Sequence, residues 1–140
     1  MSIMVDTGAW YALASSTDRY HQAAKEFYVA RIEDSDFVTT TAIVVETWAL
    51  INARLGYHSA MVFWKMLRDS GLGIISVTSE HLEKAWVIAR QYRDQQFSLT
   101  DCTTLAVMER LGITDVFAFD SHFLVYRFGP GKARSLTRLP

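Results

Sequence analysis

One cysteine, two prolines and seven glycines in 140 residues set the first limits on this chain. A lone Cys102 excludes an internal disulfide framework and suits a reducing compartment. It reads as a small buried residue near a helix start, not as a nucleophile. With prolines only at 130 and 140, and no Pro/Gly/Ser-rich stretch, nothing marks a linker, so one domain over residues 1–140 is expected. No apolar run approaches the ~20 residues of a membrane span, and no basic n-region with a long apolar stretch opens the chain. A cytoplasmic protein with no membrane partner is the expectation. Phosphate-cradling loops of the G-x-x-x-x-G-K or G-x-G-x-x-G kind are absent. His21, His58, His81 and His122 lack a ligand spacing such as H-x-x-x-H, which argues against zinc.

What is present begins with apolar residues. They make up half the chain against 21% charged, which excludes disorder and leaves room for a buried subunit interface. Short apolar runs alternate with amphipathic stretches. Strands are predicted at 2–6, from Phe37-Val38, at Ile74-Ile75-Ser76-Val77, at 115–119 and at 135–139. Helices are predicted at 8–15, 20–32, 42–55, 58–70, 80–93 and from Ser98 to Gly112. Thr39-Thr40-Thr41 supplies cap chemistry for the third helix, and Ser98-Leu99-Thr100-Asp101 matches a capping box for the last. Strands alternating with helices imply an α/β fold with a mainly parallel sheet and helices on both faces.

Four acids stand out against this pattern. Asp6 ends the run Ile3-Met4-Val5, and Asp120 follows the run Val116-Phe117-Ala118-Phe119. Glu46 interrupts the helical stripe Ile43, Leu50, Ala53, and Asp101 shares a helical face with Leu105 and Met108. Ligands of open α/β sheets bind outside the carboxyl ends of the strands, where Asp6 and Asp120 would sit. Capping alone accounts for Asp6, Asp101 and Asp120 taken singly. Glu46 lies mid-helix, where a cap role is excluded and an unpaired buried charge is costly; Arg54 and Arg90 are its candidate partners if no ion is bound. Together the four suggest a hard divalent cation, Mg²⁺ or Mn²⁺, since such ions prefer oxygen ligands and can activate water and stabilise a leaving oxyanion. If so, neutralising one acid should not weaken the metal-free fold.

Charge is unevenly spread. The chain carries net −1; the four cations Arg127, Lys132, Arg134 and Arg138 follow Asp120 with no acid among them, so residues 1–120 carry −5. A basic end beside an acidic body fits a site that holds a metal while its rim holds a polyanion. Arg127, Lys132 and Arg134 are the candidate polyanion contacts, with an ordinary solvated terminus as the alternative, and Gly129-Pro130-Gly131 among them reads as a loop. Asp6-Thr7-Gly8-Ala9 also matches the tetrad of dimeric aspartic proteases, but those are nearly all β.

The order and spacing of Ile3-Met4-Val5-Asp6-Thr7-Gly8-Ala9, Val44-Val45-Glu46-Thr47, Ser98-Leu99-Thr100-Asp101-Cys102 and Ala118-Phe119-Asp120-Ser121-His122-Phe123 resemble PIN domains. The resemblance is greatest to the small VapC-like ribonuclease toxins of toxin–antitoxin pairs, and it covers essentially the whole chain. It implies a three-layer α/β/α fold on a five-stranded parallel sheet and a Mg²⁺- or Mn²⁺-dependent endoribonuclease. Asp6, Glu46, Asp101 and Asp120 match the acidic quartet, and Thr7 and Ser98 the small hydroxyl positions that support it. Asp94 falls where some members carry an extra acid, whereas Asp115 lies at the wrong end of its strand. A homodimer and a small inhibitory antitoxin are also implied, and Phe63, Trp64, Trp86 and Tyr92 are the candidate interface aromatics. The alternative is a catalytically silent PIN-like module that binds RNA or protein.

Overall fold

The computed structural model describes residues 1–140. The central sheet is built from β1 (Ser2–Val5), β2 (Asp36–Thr40), β3 (Gly73–Ile75), β4 (Asp115–Phe117) and β7 (Thr137–Leu139). Its order is β3-β2-β1-β4-β7, and every pairing is parallel. Helices α1 (Thr7–Ala14) and α2 (His21–Arg31) link β1 to β2; α3 (Thr41–Leu55) and α4 (Tyr57–Ser70) link β2 to β3. Helices α5 (Ser79–Gln91) and α6 (Leu99–Leu111) return the chain from β3 to β4. The first two crossovers move along the sheet one way and the third moves back. Right-handed crossovers therefore place the two helix groups on opposite faces, giving three layers. No helix is long and apolar enough to cross a membrane.

Burial on both faces explains why β1 and β4 are continuous apolar runs. Ile3, Met4, Val5, Val116 and Phe117 are all fully enclosed. Trp10 locks α1 onto this sheet. Its ring meets Tyr28 and Phe63 edge-on, and its Nε1 donates to Thr39 Oγ1, which in turn donates to the Val5 carbonyl. That chain of bonds lies beside the residue that ends β1, so the position of Asp6 is fixed by core packing.

The expected cap residues act as expected: Thr40 accepts from the Ile43 N–H, and Ser98 and Asp101 form a reciprocal capping box. Three expectations need correction. The fourth strand stops at Phe117; the Ala118 N–H makes the last bond to its neighbour, to the Leu139 carbonyl, and Ala118 and Phe119 then lead on to Asp120. The buried stripe of α3 is Ile43, Thr47 and Ile51, with Glu46 and Leu50 half-buried at its edge and Ala53 exposed. Residues 135–139 are not one strand: after α7 (His122–Val125), β5 (Arg127–Phe128) pairs antiparallel with β6 (Arg134–Ser135), and only Thr137–Leu139 joins the main sheet.

Candidate metal centre

The sheet order reverses between β1 and β4, which makes the crevice at their carboxyl ends a topological switch point. Asp6 leaves β1 there, held by its N–H to the Phe117 carbonyl at 3.1 Å. It occupies the N-cap position of α1, yet its side chain makes no cap hydrogen bond. The residue is only 5% exposed, and Oδ1 has no hydrogen-bond partner; the neighbouring Thr7 hydroxyl is also buried and unpartnered. Buried polar atoms are nearly always satisfied, so two orphans side by side ask for a ligand. Burial, then the charge of Asp101, push the Asp6 carboxyl up to about 7; Asp120 and Glu46 push the same way, against a hydrogen bond from the Thr7 backbone. All four acids thus share one electrostatic neighbourhood.

Asp101 arrives from the first turn of α6. Its Oδ2 accepts from the Ser98 N–H at 3.1 Å while its own N–H donates to Ser98 Oγ, a capping box that fixes the carboxylate's direction. The same oxygen lies 2.9 Å from His122 Nδ1. Asp120 is more open, and its Oδ1 accepts from the His122 N–H at 2.8 Å and lies 3.2 Å from His122 Nδ1. Asp101, Asp120 and His122 therefore present ligand atoms all within 4.8 Å of one another. Asp6 and Glu46 stand outside that tight group. Glu46 forms no ion pair; Arg54 lies over the Tyr11 ring instead, and Arg90 does not reach it. Asp94 is exposed on a 3₁₀ turn and Asp115 sits at the start of β4, away from the carboxyl edge.

His122 is the residue that sequence reasoning missed, because spacing along the chain carries no information about a ligand set that converges from different segments. Its only signal was proximity: it stands two residues after Asp120. Cys102 is buried, and burial and the charge of Asp101 push its thiol up, so it offers no thiolate.

The PIN domain family model matches residues 3–129. The chain belongs to the PIN domain family. A relative of this PIN protein, the 23S rRNA-specific endonuclease VapC20 of Mycobacterium tuberculosis, is 31% identical over 121 residues, covering 86% of this chain and 91% of VapC20. The crystal structure of that VapC20, described as a sarcin–ricin loop cleaving toxin, superposes with a TM-score of 0.80 at 29% identity over the same shares. VapBC2 from Rickettsia felis, bound to a DNA fragment from its promoter, gives a TM-score of 0.70 over 99% of this chain and 97% of its own, with 8% identity; that likeness is one of fold. The PIN fold expected from the motifs, with its five-stranded parallel sheet, is the fold observed.

The donor set suits a hard divalent cation. Three carboxylates and one buried carboxyl with an unpartnered oxygen at a sheet's carboxyl edge supply oxygen ligands and negative charge with no lysine or arginine paired to them.

Proposed function

We propose that this chain is a metal-dependent endoribonuclease that hydrolyses RNA phosphodiester bonds at the β1–β4 crevice, with residues 1–140 forming a single nuclease domain. Asp6, Glu46, Asp101 and Asp120 would hold Mg²⁺ or Mn²⁺. The observation that carries this reading is the buried Asp6 carboxyl, which has no hydrogen-bond partner on one oxygen and three acids around it. A fold that keeps such a group against like charge needs a cation to stabilise it. A divalent ion bound there supplies a Lewis acid that lowers the pKa of water and neutralises charge developing on phosphate oxygens.

The protein's own residues set up the site. The Ser98 main-chain N–H orients the Asp101 carboxylate while the Ser98 hydroxyl caps the Asp101 N–H, and the unpartnered Thr7 hydroxyl stands beside Asp6 as a donor for a bound water or carboxylate. Lys132 and Arg134, neither of them in an ion pair, line the β5–β6 hairpin that follows α7 and would hold the RNA backbone beyond the acids, whereas Arg127, expected with them, is turned onto the Leu124 and Tyr126 carbonyls. The 31% identity to VapC20 makes the sarcin–ricin loop of 23S rRNA the substrate to test first. It also supports a toxin role, with a small antitoxin protein as partner.

A homodimer belongs to the same reading. Trp64 and Trp86 are 45% and 64% exposed, with Val62 and Met61 beside the first and Val87 beside the second. Phe63 does not contribute, since it lies in the core against Trp10; Tyr92 stacks on Phe97 and is half-buried.

The test is cleavage of purified ribosomes or a sarcin–ricin hairpin with Mg²⁺ or Mn²⁺, the cut mapped by primer extension. A single strand break that EDTA abolishes and Asp101→Asn lacks is expected. RNA left intact under all metal conditions would sink the reading.

A further inference from the structure

The imidazole of His122 stands against two of the four acids, Asp101 and Asp120. Its main-chain N–H is tied to Asp120, its ring meets Phe97 edge-on at 5.0 Å, and its Nδ1 faces two carboxylate oxygens at 2.9 and 3.2 Å. Cis ligands on an octahedral ion with bonds of ~2.1 Å stand about 3.0 Å apart. The two short edges around Nδ1 therefore match those of a coordination sphere. A second observation points the same way: the unpartnered Oδ1 of Asp6, on a residue only 5% exposed, lies in the charge field of this group.

We infer that His122 Nδ1 is an inner-sphere metal ligand, making the site a mixed carboxylate–imidazole centre that favours a first-row transition dication over Mg²⁺. With its ring hydrogen on Nε2, the neutral imidazole offers the Nδ1 lone pair; any hydrogen that Nδ1 shares with Asp101 in the metal-free protein leaves to solvent on binding. Imidazole nitrogen discriminates because transition ions accept nitrogen donors far more readily than magnesium, which keeps to oxygen and water. Histidine spacing along the chain ceases to exclude nitrogen ligation once Asp120 and the turn after it bring His122 back onto Asp101. This inference rests on the metal-site half of the proposed function and is independent of RNA cleavage.

The experiment uses the full chain and Mn²⁺ as the probe. Pulsed EPR of the Mn²⁺ complex should show ¹⁴N coupling that is lost in His122→Ala. Titration calorimetry should show Mn²⁺ affinity falling by about tenfold or more in the variant, with Mg²⁺ affinity changing much less. Circular dichroism checks that the variant is folded, but the wild-type spectrum alone is decisive. Bound Mn²⁺ without nitrogen coupling would overturn the role of His122 and leave it orienting Asp101 by a hydrogen bond. Absence of any Mn²⁺ binding would overturn the metal site, and this inference with it. Cleavage failure with nitrogen coupling intact would fault only the choice of RNA.

Discussion

Asp6 and Asp101 are both buried acids in one crevice, yet their surroundings predict opposite effects of neutralising them. Asp6 has an orphaned oxygen and no cap bond, so its charge is opposed by burial and like neighbours and supported only by the Thr7 backbone hydrogen bond. Asp6→Asn should raise the melting temperature of the metal-free protein at pH 8 while abolishing cleavage. Asp101 accepts from Ser98 N–H and lies against His122, so Asp101→Asn should abolish cleavage and lower the melting temperature slightly, by the ~1 kcal/mol of a weakened charged hydrogen bond. Equal melting shifts in both variants would contradict this split. The pH dependence follows from the same group. The folded carboxyl keeps its proton up to about 7, whereas the unfolded one loses it near 3.8. Its contribution to stability is thus full below the unfolded value and lost as pH rises through about 7, a difference of about 4 kcal/mol. In EDTA, the melting temperature should fall between pH 5 and pH 8, and Asp6→Asn should flatten that fall. Metal binding should strengthen over the same range with proton release, which calorimetry in buffers of different ionisation enthalpy can count.

At the scale of the element, the basic end of the chain is a hairpin and an edge strand instead of a loose tail. Arg138 donates to the carbonyls of Phe119 and Asp120, and Arg127 to those of Leu124 and Tyr126, so both help hold the turn that carries Asp120 and His122. Lys132 lies over the Tyr92 ring, and the Arg134 side chain crosses Gly129, where a Cβ would stand 3.1 Å from it. The cations free to meet phosphate are therefore Lys132 and Arg134. Replacing both by Ala should weaken RNA binding and flatten the salt dependence by roughly 0.7 in the log–log slope for each phosphate left without its cation, with metal affinity unchanged. An unchanged slope in filter binding between low and moderate salt would remove the hairpin from the RNA path. The capping box gives a second element-scale expectation. Ser98→Ala should cost about 1 kcal/mol of stability through the lost cap on the Asp101 N–H, while cleavage changes little, because the Ser98 main-chain N–H that holds the Asp101 carboxylate is kept. A large loss of cleavage in the folded variant would show that the Ser98 hydroxyl itself acts in the site.

Across the whole molecule, the exposed Trp64 and Trp86 are the apolar surface that the proposed homodimer would cover. Light scattering at micromolar concentration should give twice the 15.9 kDa of one chain. Trp64→Glu combined with Trp86→Glu should return the monomer while far-ultraviolet circular dichroism stays unchanged, since neither ring belongs to the buried core. A monomer in the unmodified protein would remove the dimer from the functional reading.

The amino-acid sequence by itself determined the parallel α/β frame, because apolar runs bounded by caps and alternating with 3.6-residue stripes admit few other arrangements. It also singled out Asp6, Glu46, Asp101 and Asp120, since an acid at a strand's end or on an apolar stripe breaks a local pattern visible in one dimension. The roles of Thr40 and Ser98 as caps were legible for the same reason: the bonds they make span three residues. Only the tertiary structure decided that His122 joins Asp101 across 21 residues, that Phe63 is core while Trp64 is surface, and that residues 135–139 divide between a hairpin and the main sheet. Those outcomes depend on which segments the sheet order places side by side. Local periodicity records which face of an element is apolar, but not which distant side chain will be packed against it.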